Sequence, residues 1–430
     1  MGSTGIPFHI HNPYRNVDWA SFRPRRTELH CHTNVSDGEV NFSEMVEAYY
    51  AAGYDCLAIT DHGIVDQGWT KPAFRHLSRL LTLQKHPFRK PTGLTEERFR
   101  EISEGVGREG RGMLRIPFGT EHSPGGRRYA HVCSWFCDVR SAAVGRADFE
   151  KSVRRADEAG GLCVIAHPFS SFVMQSRMKP RVGIHEGKYA AYVDKLRCLL
   201  EKYPSLLGVE IKDVRERKLW DTLLGHFAPL GRSVYAVGAS DTHDVKDIKE
   251  GLGWVEAMLP ENTVENLREC LKDGAFFAAS RCVSFLSTPE FHAAHPNLHP
   301  EQREEFQKYA RVLSKYPALY DKICMGWMPI DAPMPMVESI TTQDGVISIE
   351  AQNCEAILWI SEGKIIASGD TITLANCEGL GAYVRAELWG PGDNLYTQPF
   401  LLKNGLTSDR KPVIMKARVG CAAARLSVPC

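Results

Sequence analysis

The sequence has no surplus of charge of either sign, because Lys and Arg together number 52 and Asp and Glu together also number 52. Proteins that track long nucleic-acid backbones need a basic excess, so this composition argues against a long nucleic acid as the partner. A small anionic substrate remains compatible with the balance, because a few local arginines can bind it without a basic field over the whole molecule.

Targeting and membrane signals are also lacking. The first residues, MGSTGIPFHIHNPYRN, show no basic-then-apolar secretory pattern, and Ile6 stands where an N-myristoylation signal needs Ser or Thr. No apolar run approaches the roughly 20 residues that span a bilayer. The 13 cysteines include no C-x-x-C pair, and several lie inside apolar runs, which favours buried thiols over disulfides. We therefore expect a cytoplasmic protein with no membrane partner.

The sequence does contain a series of short apolar runs that each end in polar residues. Helical patterns lie between several runs, as in FSEMVEAYYAAG (42–53), with Ser43 as the cap, and DFEKSVRRADEAGG (148–161). This alternation predicts a parallel sheet covered by helices, closed or nearly closed into a barrel with its chemistry at the carboxyl ends of the strands. The seven strand candidates are 26–33, 56–63, 115–123, 129–136, 161–169, 206–213 and 234–243.

The spacing of these apolar runs divides the chain into regions. An N-terminal extension (1–25) precedes the barrel (26–286), and the barrel carries a long polar insertion at 64–114. A helical and Pro-rich stretch follows at 287–336, and each of these long segments is predicted to be either a lid or an added helical element. From residue 337 to 430 the pattern alternates between apolar and polar residues, which predicts a small antiparallel β-sandwich.

Histidines and carboxylates recur at the ends of the strand candidates. His30 and His32 are two apart in an extended run, so both side chains point to one side of the strand, and Asp241 and His243 repeat that spacing. The 16 histidines would not fall so consistently at strand ends by chance. Mixed nitrogen and oxygen ligands suit Zn, Mn or Fe, and the number of ligands suffices for two or three divalent ions. The further candidates are Asp37, His62, Glu121, His131 and His167.

Several polar residues near these candidates receive other roles. Arg127 and Arg128, in a Gly-rich loop, would either bind an anionic substrate or form a solvated hairpin tip. Lys212 and Arg215 could face the same opening, but solvated loop residues are the favoured interpretation. Glu210, inside a strand, is a candidate partner for a ligand histidine. The remaining expectations are that Cys31 and His122 point away from the ligands, that His9 and His11 are surface residues, and that His292, His295 and His299 are not ligands.

The motifs HCHTNVSDG, AITDHG, GTE, YAH, IAHP and ASDTH, in this order, resemble the polymerase-and-histidinol-phosphatase (PHP) superfamily of metal-dependent phosphoesterases. The resemblance covers about residues 26–286 and implies a distorted seven-stranded (β/α) barrel with two or three metal ions. It also implies that Glu121 bridges metals and that Asp37 stands where some members have histidine. The ligand set that it implies is His30, His32, Asp37, His62, Glu121, His131, His167, Asp241 and His243.

A second resemblance concerns the substrate class. GLCVIAHP and GAFFAAS, followed by a C-terminal β domain, are similar to a branch that includes carbamate- and ester-cleaving metallohydrolases. A pocket rich in Trp and Met would favour that branch, and Trp69, Trp327 and Met328 lie in the insertions. The polymerase-attached version of the family is not expected, because no polymerase sequence follows.

The sequence thus predicts a metal-dependent phosphoesterase that acts on a small phosphorylated molecule, such as a nucleotide or sugar phosphate. Hydroxide generated at the metals would attack phosphorus, Arg127 or Arg128 would offset charge, and Asp241 or His243 would assist proton transfer. The alternative is a carboxylic ester, amide or carbamate hydrolase that uses the same metals. A non-catalytic binding protein would lack ligands, and none is missing. The sequence leaves open whether the chain forms homo-oligomers.

Overall fold

Helices and strands alternate through the region predicted as a barrel. The computed structural model describes residues 8–73, 90–123, 130–140, 148–176, 186–211, 214–250, 253–280, 333–390 and 393–404. Short 3₁₀ helices cover Ala228–Leu230 and Leu374–Asn376. The helices are α1 (Phe42–Ala51), α2 (Glu96–Glu104), α3 (Phe149–Glu158), α4 (Pro168–Ser176), α5 (Glu186–Lys202), α6 (Val214–Phe227), α7 (Val245–Glu250) and α8 (Val264–Asp273).

The strands fall into a first group up to residue 280 and a second group after residue 335. The first group is β1 (Phe8–His11), β2 (Arg23–Glu28), β3 (Cys56–Leu57), β4 (Leu114–Arg115), β5 (Thr120–His122), β6 (Val132–Trp135), β7 (Leu162–Ile165), β8 (Leu206–Ile211), β9 (Tyr235–Gly238), β10 (Trp254–Leu259) and β11 (Phe276–Ser280). The second group is β12 (Met336–Gln343), β13 (Val346–Gln352), β14 (Ala356–Ser361), β15 (Lys364–Ser368), β16 (Thr371–Thr373), β17 (Tyr383–Trp389), β18 (Asn394–Tyr396) and β19 (Phe400–Asn404).

The largest sheet joins the two groups of strands. Its main path runs β1-β19-β17-β18-β11-β10-β2-β3-β4, and β14 extends it by pairing with β17 and β15. Within it β2, β3 and β4 are parallel, whereas β10 is antiparallel to β2 and β11. The N-terminal extension is thus part of the fold, because β1 pairs with β19, and His9 and His11 are exposed on that edge strand as expected.

The second sheet has the order β5-β6-β7-β8-β9, and β6 runs antiparallel to both of its neighbours. A fully parallel arrangement was predicted here, and that prediction is wrong for β6. Residues 123–131 alone connect β5 to β6, which is shorter than the dozen or more residues that a parallel crossover requires. β7, β8 and β9 are parallel, as expected for strands separated by helices.

The predicted strand segments surround one site, but continuous strand pairing does not close them into a seven-stranded barrel among the described residues. Single bridges connect the two sheets, one between Cys31 and Thr242 and one between His62 and Glu121. The strands therefore meet at their carboxyl ends through isolated contacts and not through full ladders.

Side-chain carboxylates explain why β2 does not continue as a regular strand. Glu28 Oε1 accepts the backbone N–H groups of Leu29 (3.1 Å) and His30 (2.9 Å). A buried N–H group that is satisfied by a side chain no longer needs a neighbouring strand, so the backbone bends toward the site.

The C-terminal strands form an additional β region with antiparallel pairing, as predicted, and its strands belong to two sheets, one of which continues into the first group of strands. β12, β13 and β16 form a three-stranded sheet, whereas β18 pairs with β11 and so joins its neighbours to the large sheet. One hydrophobic cluster contains Trp254 and Phe276 together with Ile349, Trp359 and Leu388. The C-terminal strands therefore share a core with the strands that surround the site.

The insertion at 64–114 is an added helical element in its described part. Tyr50 of α1 donates a hydrogen bond to the carbonyl of Val106 (2.8 Å), and Arg98 of α2 pairs with Glu47 of α1 (2.7 Å). Trp69 is buried and meets the ring of Phe99 edge-on at 6.0 Å. This part packs beside α1, and Trp69 belongs to the core, whereas Trp327 and Met328 lie outside the described residues.

The N-cap of the first helix lies two residues before the predicted one. Asn41, not Ser43, is its N-cap, and the Asn41 backbone N–H donates to Glu44 Oε2 at 3.4 Å. The Asn41 side-chain oxygen accepts hydrogen bonds from both the backbone and the hydroxyl of Thr92 (3.1 and 2.7 Å). Asn41 therefore starts α1 and also ties the insertion to it.

Among the helices of the described chain, none is long and apolar enough to cross a membrane.

Candidate metal centre

Strand ends from both sheets converge on one buried cluster of histidines and carboxylates. His30, His32 and Glu121 have no exposed surface, and the surrounding members are mostly buried. The structure brings together all nine residues that were predicted as metal ligands, namely His30, His32, Asp37, His62, Glu121, His131, His167, Asp241 and His243.

The first group of ligand atoms lies where β2 and β9 end. The Nε2 atoms of His30 and His32 are 3.0 Å apart. Asp241 Oδ1 lies 3.2 Å from each of these nitrogens, and Glu121 Oε2 lies 3.5 and 3.3 Å from them. Two imidazole nitrogens and two carboxylates thus face one point, which is a donor set suited to a divalent transition metal.

A second group surrounds Asp37. Its Oδ2 lies 3.4 Å from His62 Nε2, and its Oδ1 lies 3.4 Å from His243 Nε2. His32 Nδ1 lies 3.7 Å from Asp37 Oδ1, so the two groups are adjacent. The four residues place one ligand atom each within 4.8 Å of one another.

The third group lies on the other side of Glu121. Glu121 Oε1 is 2.6 Å from His131 Nδ1 and 3.1 Å from His167 Nε2, and these two nitrogens are 3.1 Å apart. His62 Nδ1 lies 2.7 Å from Glu121 Oε2. Glu121 is therefore common to the first and third groups, with one oxygen directed to each.

The environment of Glu121 Oε2 tests whether a cation fits. This oxygen is buried and forms no hydrogen bond with the described residues, although three histidine nitrogens lie within 3.5 Å of it at unsuitable angles. A buried carboxylate oxygen without a hydrogen bond is costly unless another positive group satisfies it. The donor set around it consists of nitrogen and oxygen ligands, so the residues present fit divalent metal ions.

Comparison with known families agrees with this geometry. Residues 28–184 match the family model of the PHP domain. The chain contains a PHP domain. The matched residues include the first seven cluster members in sequence order, and the structure adds Asp241 and His243 from beyond the matched stretch.

Solved structures similar to the chain share low sequence identity with it. A two-domain protein from Bacteroides vulgatus, described as containing a PHP-like metal-dependent phosphoesterase, has 12% identity and a TM-score of 0.41, over 93% of this chain and 91% of that chain. A lesion-specific endonuclease from Pyrococcus furiosus has 13% identity and a TM-score of 0.34, over 58% and 56%. An amidohydrolase from Chromobacterium violaceum has 14% identity and a TM-score of 0.30, over 51% and 87%. A search of curated proteins found no match.

Glu210, on β8, holds two cluster members of the PHP domain in place. Its Oε1 accepts a hydrogen bond from His30 Nδ1 (2.8 Å), and its Oε2 accepts the backbone N–H of His167 (2.8 Å). Because Nδ1 of His30 donates to Glu210, its Nε2 presents a lone pair to the first group of ligands. The predicted partnership between Glu210 and a ligand histidine is thus seen in the geometry.

Asp61 fixes the loop that carries Asp37. Its Oδ1 accepts the backbone N–H groups of Thr33 (2.8 Å) and Ser36 (3.1 Å), and its Oδ2 accepts the Thr33 hydroxyl (2.7 Å). The Ser36 hydroxyl also donates to Asp61 and lies 3.3 Å from His32 Nδ1. One buried carboxylate therefore shapes the turn that brings Asp37 to the cluster.

Two cluster members have uncommon backbone conformations. Asp241 has φ +55° and His167 has φ +27°, in a region that residues other than glycine seldom adopt. The hydrogen bond from the His167 N–H to Glu210 and the bridge beside Asp241 hold these conformations. Such strain is typical of sites whose geometry is fixed for function.

The cluster strongly perturbs the protonation of its members. Burial alone would lower the pKa of His62, but the carboxylates of Glu121 and Asp37 outweigh burial and raise the pKa to about 10. Burial would raise the pKa of Glu121, yet His131, His62 and His30 hold it well below its usual range. The surrounding histidines therefore hold Glu121 in its ionised form.

The cluster opens to solvent on the side of its second group. The exposed side-chain fractions are 28% for His243, 23% for Asp241 and 18% for Asp37, against 0% for Glu121. His243 Nδ1 donates a hydrogen bond to the backbone carbonyl of Asp241 (2.8 Å), which leaves the Nε2 lone pair directed toward Asp37. The side of the cluster that is open to solvent is therefore lined by Asp37, Asp241 and His243.

Other predicted residues lie away from the cluster or outside the described chain. His122 hydrogen-bonds Ser134 (2.8 Å) on the opposite side of its strand, and Cys31 is buried in the hydrophobic core, both as expected. Arg215 stacks over the Phe169 ring at 4.2 Å, so it is not simply solvated. Arg127, Arg128, Lys212, His292, His295 and His299 lie outside the described residues.

Sequence reasoning missed Ser123 and Cys133 near the cluster. Ser123 hydrogen-bonds His62 Nδ1, and the Cys133 thiol belongs to a close group with His30 and Glu210. Ser123 stands two residues after Glu121, a spacing that places both on one side of a strand and could have drawn attention to it. Cys133 carries no such signal, because its place depends on which strands are neighbours.

All described cysteines are free thiols, as expected.

Proposed function

We propose that the PHP domain of this chain is a metal-dependent phosphoesterase that acts on a small phosphorylated molecule, such as a nucleotide or sugar phosphate. The proposal includes two or three divalent ions, with Zn, Mn and Fe as candidates, held by the nine cluster residues. It also includes a barrel-like arrangement of the predicted strands around these ions.

One observation supports the metal proposal most strongly. His30 Nδ1 donates to Glu210, so its Nε2 lone pair faces His32 Nε2 at 3.0 Å, with two carboxylates within 3.5 Å. Two nitrogen lone pairs at this distance repel each other unless a proton or a cation lies between them. A metal ion satisfies both nitrogens and both carboxylates at the same time.

The chain's own residues would then organise hydrolysis. Divalent ions in this site would lower the pKa of a coordinated water and offset the negative charge on the substrate. Asp37, Asp241 and His243 line the open side and would orient the phosphate ester. His243 Nε2, with its lone pair directed into the site, is placed to hold a proton or to pass it to the leaving oxygen.

The alternative reaction is hydrolysis of a carboxylic ester, amide or carbamate with the same ligands. The two reactions need the same metals and differ in the group that the open side accepts. The described residues do not include the loop of Arg127 and Arg128, for which phosphate binding and a solvated hairpin tip are the two expectations, so a substrate panel has to separate the two classes.

The test is hydrolysis by the full chain loaded with Mn²⁺ or Zn²⁺. The panel contains 4-nitrophenyl phosphate, bis(4-nitrophenyl) phosphate and AMP, beside 4-nitrophenyl acetate and a 4-nitrophenyl carbamate. His32→Ala removes a buried ligand, and His9→Ala, on the exposed edge of β1, is the matched control.

We expect turnover of a phosphate ester that falls at least 100-fold in His32→Ala and is unchanged in His9→Ala. Turnover of carboxyl substrates alone would replace the phosphoesterase proposal by the alternative. Equal activity in the wild-type chain and His32→Ala would show that the cluster does not catalyse the reaction.

A further inference from the structure

A second cavity lies at the other end of the strands that carry the metal cluster. It has a volume of about 420 Å³ and is lined by residues of β2, α2, the segment before β4 and the start of the α8 region. Arg25 lies on β2 (Arg23–Glu28) and precedes by five positions His30, which follows the carboxyl end of that strand. The cavity therefore lies toward the amino end of β2, and the metal cluster lies beyond its carboxyl end.

The lining of this cavity is basic. Three arginines, Arg25, Arg111 and Arg115, contribute to it, and the described lining residues include no Asp or Glu. The other described lining residues are Phe99, Ser103, Gly110, Gly112, Met113, Leu114 and Asn262.

The nearby carboxylates are already bound to other groups. Asp55 accepts hydrogen bonds from Arg111 Nε and Nη2 (2.6 Å each) and from Arg108 (3.3 Å). Asp66 accepts from Arg115 Nε (2.9 Å) and from the backbone of Gly68 (2.9 Å). These pairs fix Arg111 and Arg115 in the wall and engage both carboxylates.

The guanidinium group of Arg25 also lines this cavity. Within the described parts of the chain its side chain has no hydrogen bond or ion pair, and its Nε atom is buried. A buried donor of a charged group without an acceptor is costly, so an anion in the cavity would be stabilised by it. The planar guanidinium matches the two oxygens of a phosphate, phosphonate or carboxylate group.

Part of the remaining wall is apolar. Phe99, Met113 and Leu114 lie beside the arginines, and the volume is in the range of small-molecule sites. We infer that this cavity binds a small organic anion, whose oxyanion head pairs with Arg25 and whose apolar or aromatic body contacts Phe99 and Met113. This site is separate from the metal cluster and does not depend on the proposed reaction.

The test uses phenylphosphonate, which has an oxyanion head, an aromatic body and a P–C bond that a phosphoesterase does not hydrolyse. Binding to the full chain is measured by calorimetry after dialysis against a chelator, in a Glu121→Gln background that lacks the carboxylate shared by two groups of the metal cluster. Benzoate and inorganic phosphate separate the contributions of head and body, and benzyl alcohol is the uncharged control.

We expect one phenylphosphonate per chain, with affinity reduced at least ten-fold by Arg25→Gln. Arg23→Gln is the matched control, since Arg23 is exposed on the same strand and, among the described residues, donates only to the carbonyls of Ala20 and Phe22 (3.0 and 2.9 Å). Ser103→Trp, at an exposed position of α2, should weaken binding by filling the cavity without changing Arg25.

An affinity in Arg25→Gln within two-fold of its parent would overturn the inference, as would no binding of phenylphosphonate in the Glu121→Gln background. If Arg25→Gln fails to fold, the Ser103→Trp result decides in its place. A chain that binds phenylphosphonate through Arg25 but releases no phosphate from any ester would support this cavity and contradict only the proposed function.

Discussion

At the scale of single residues, the cluster depends on side chains that do not themselves face its centre. Glu210 accepts one hydrogen bond from the His30 ring and one from the backbone of His167. A glutamine at this position can replace only the first acceptor, because its amide nitrogen cannot accept the N–H of His167.

We therefore predict that Glu210→Gln lowers the affinity of the chain for Zn²⁺ by about 10- to 100-fold, the usual effect of losing the partner of a ligand histidine. Competition with a chelating dye measures this affinity. Glu201→Gln, on the exposed end of α5, is the control. Unchanged affinity in Glu210→Gln would show that His30 is oriented by other contacts.

His122 affects stability and not the cluster. Burial lowers its pKa from 6.5 to about 4, and its Nδ1 has no acceptor among the described residues. Below pH 6.5 the unfolded chain takes up a proton at this residue, whereas the folded chain does so only near pH 4. The contribution of neutral His122 to the free energy of unfolding is therefore fully present above pH 6.5 and is lost as the pH falls from 6.5 to about 4.

We predict that His122→Gln reduces the loss of stability between pH 7 and pH 4.5 by up to about 3 kcal/mol. Urea unfolding of the metal-free chain at the two pH values measures it. His9→Gln should behave like the wild-type chain at both values. The same loss of stability in His122→Gln would mean that this histidine is protonated in the folded chain.

At the scale of elements, local pattern and strand pairing differ in how far the sequence predicts them. The apolar spacing within 42–53 and 148–161 is contained in each segment, so α1 and α3 were predicted close to their observed bounds. The direction of β6 depends on its partners β5 and β7, which local periodicity does not reveal.

The same distinction holds for the cluster. Its histidines were found because i, i+2 spacing at strand ends is a local signal, as for His30 with His32. The contacts of Asp61 and Cys133 could not be found in this way, because they join segments far apart in sequence. Periodicity likewise did not predict that Asn41, rather than Ser43, begins α1, because Asn41 is also bound to Thr92 of the insertion.

The loop over residues 33–37 is held by hydrogen bonds to the side chain of Asp61. Asp61→Asn keeps the size of the side chain but replaces one acceptor oxygen by a donor, next to the N–H groups of Thr33 and Ser36. We expect amide exchange in this loop to become at least ten-fold faster, as measured by hydrogen exchange. Asp18→Asn, at an exposed turn, is the control and should not change the exchange rate of this loop. An unchanged exchange rate in Asp61→Asn would show that other contacts hold the loop.

At the scale of the whole molecule, buried charges join the C-terminal strands to α6. Arg385 on β17 donates to both oxygens of Asp221 (2.9 and 2.8 Å) and to Glu387 (2.8 Å), and Arg217 of α6 also pairs with Glu387 (3.1 Å). Removing one member of a buried ionic group leaves its partners without compensation, which costs more than the loss of an exposed pair.

We predict that Arg385→Leu lowers the free energy of unfolding by about 3–5 kcal/mol, as measured by urea denaturation. Arg154→Leu is the control, because Arg154 pairs with Glu158 on the exposed surface of α3 and its replacement should leave the free energy of unfolding nearly unchanged. Similar small losses in both variants would show that this ionic group does not stabilise the contact between the C-terminal strands and α6.

The proposed binding of divalent metals depends most on Glu121, which two groups of the cluster share. The direct measurement is the number of metal ions per chain, by mass spectrometry after dialysis from metal-replete buffer, in the wild type, Glu121→Gln and His122→Gln. We predict two or more ions in the wild type and in His122→Gln, and at least one fewer in Glu121→Gln. A metal-free wild type, or the same metal content in all three chains, would contradict the account.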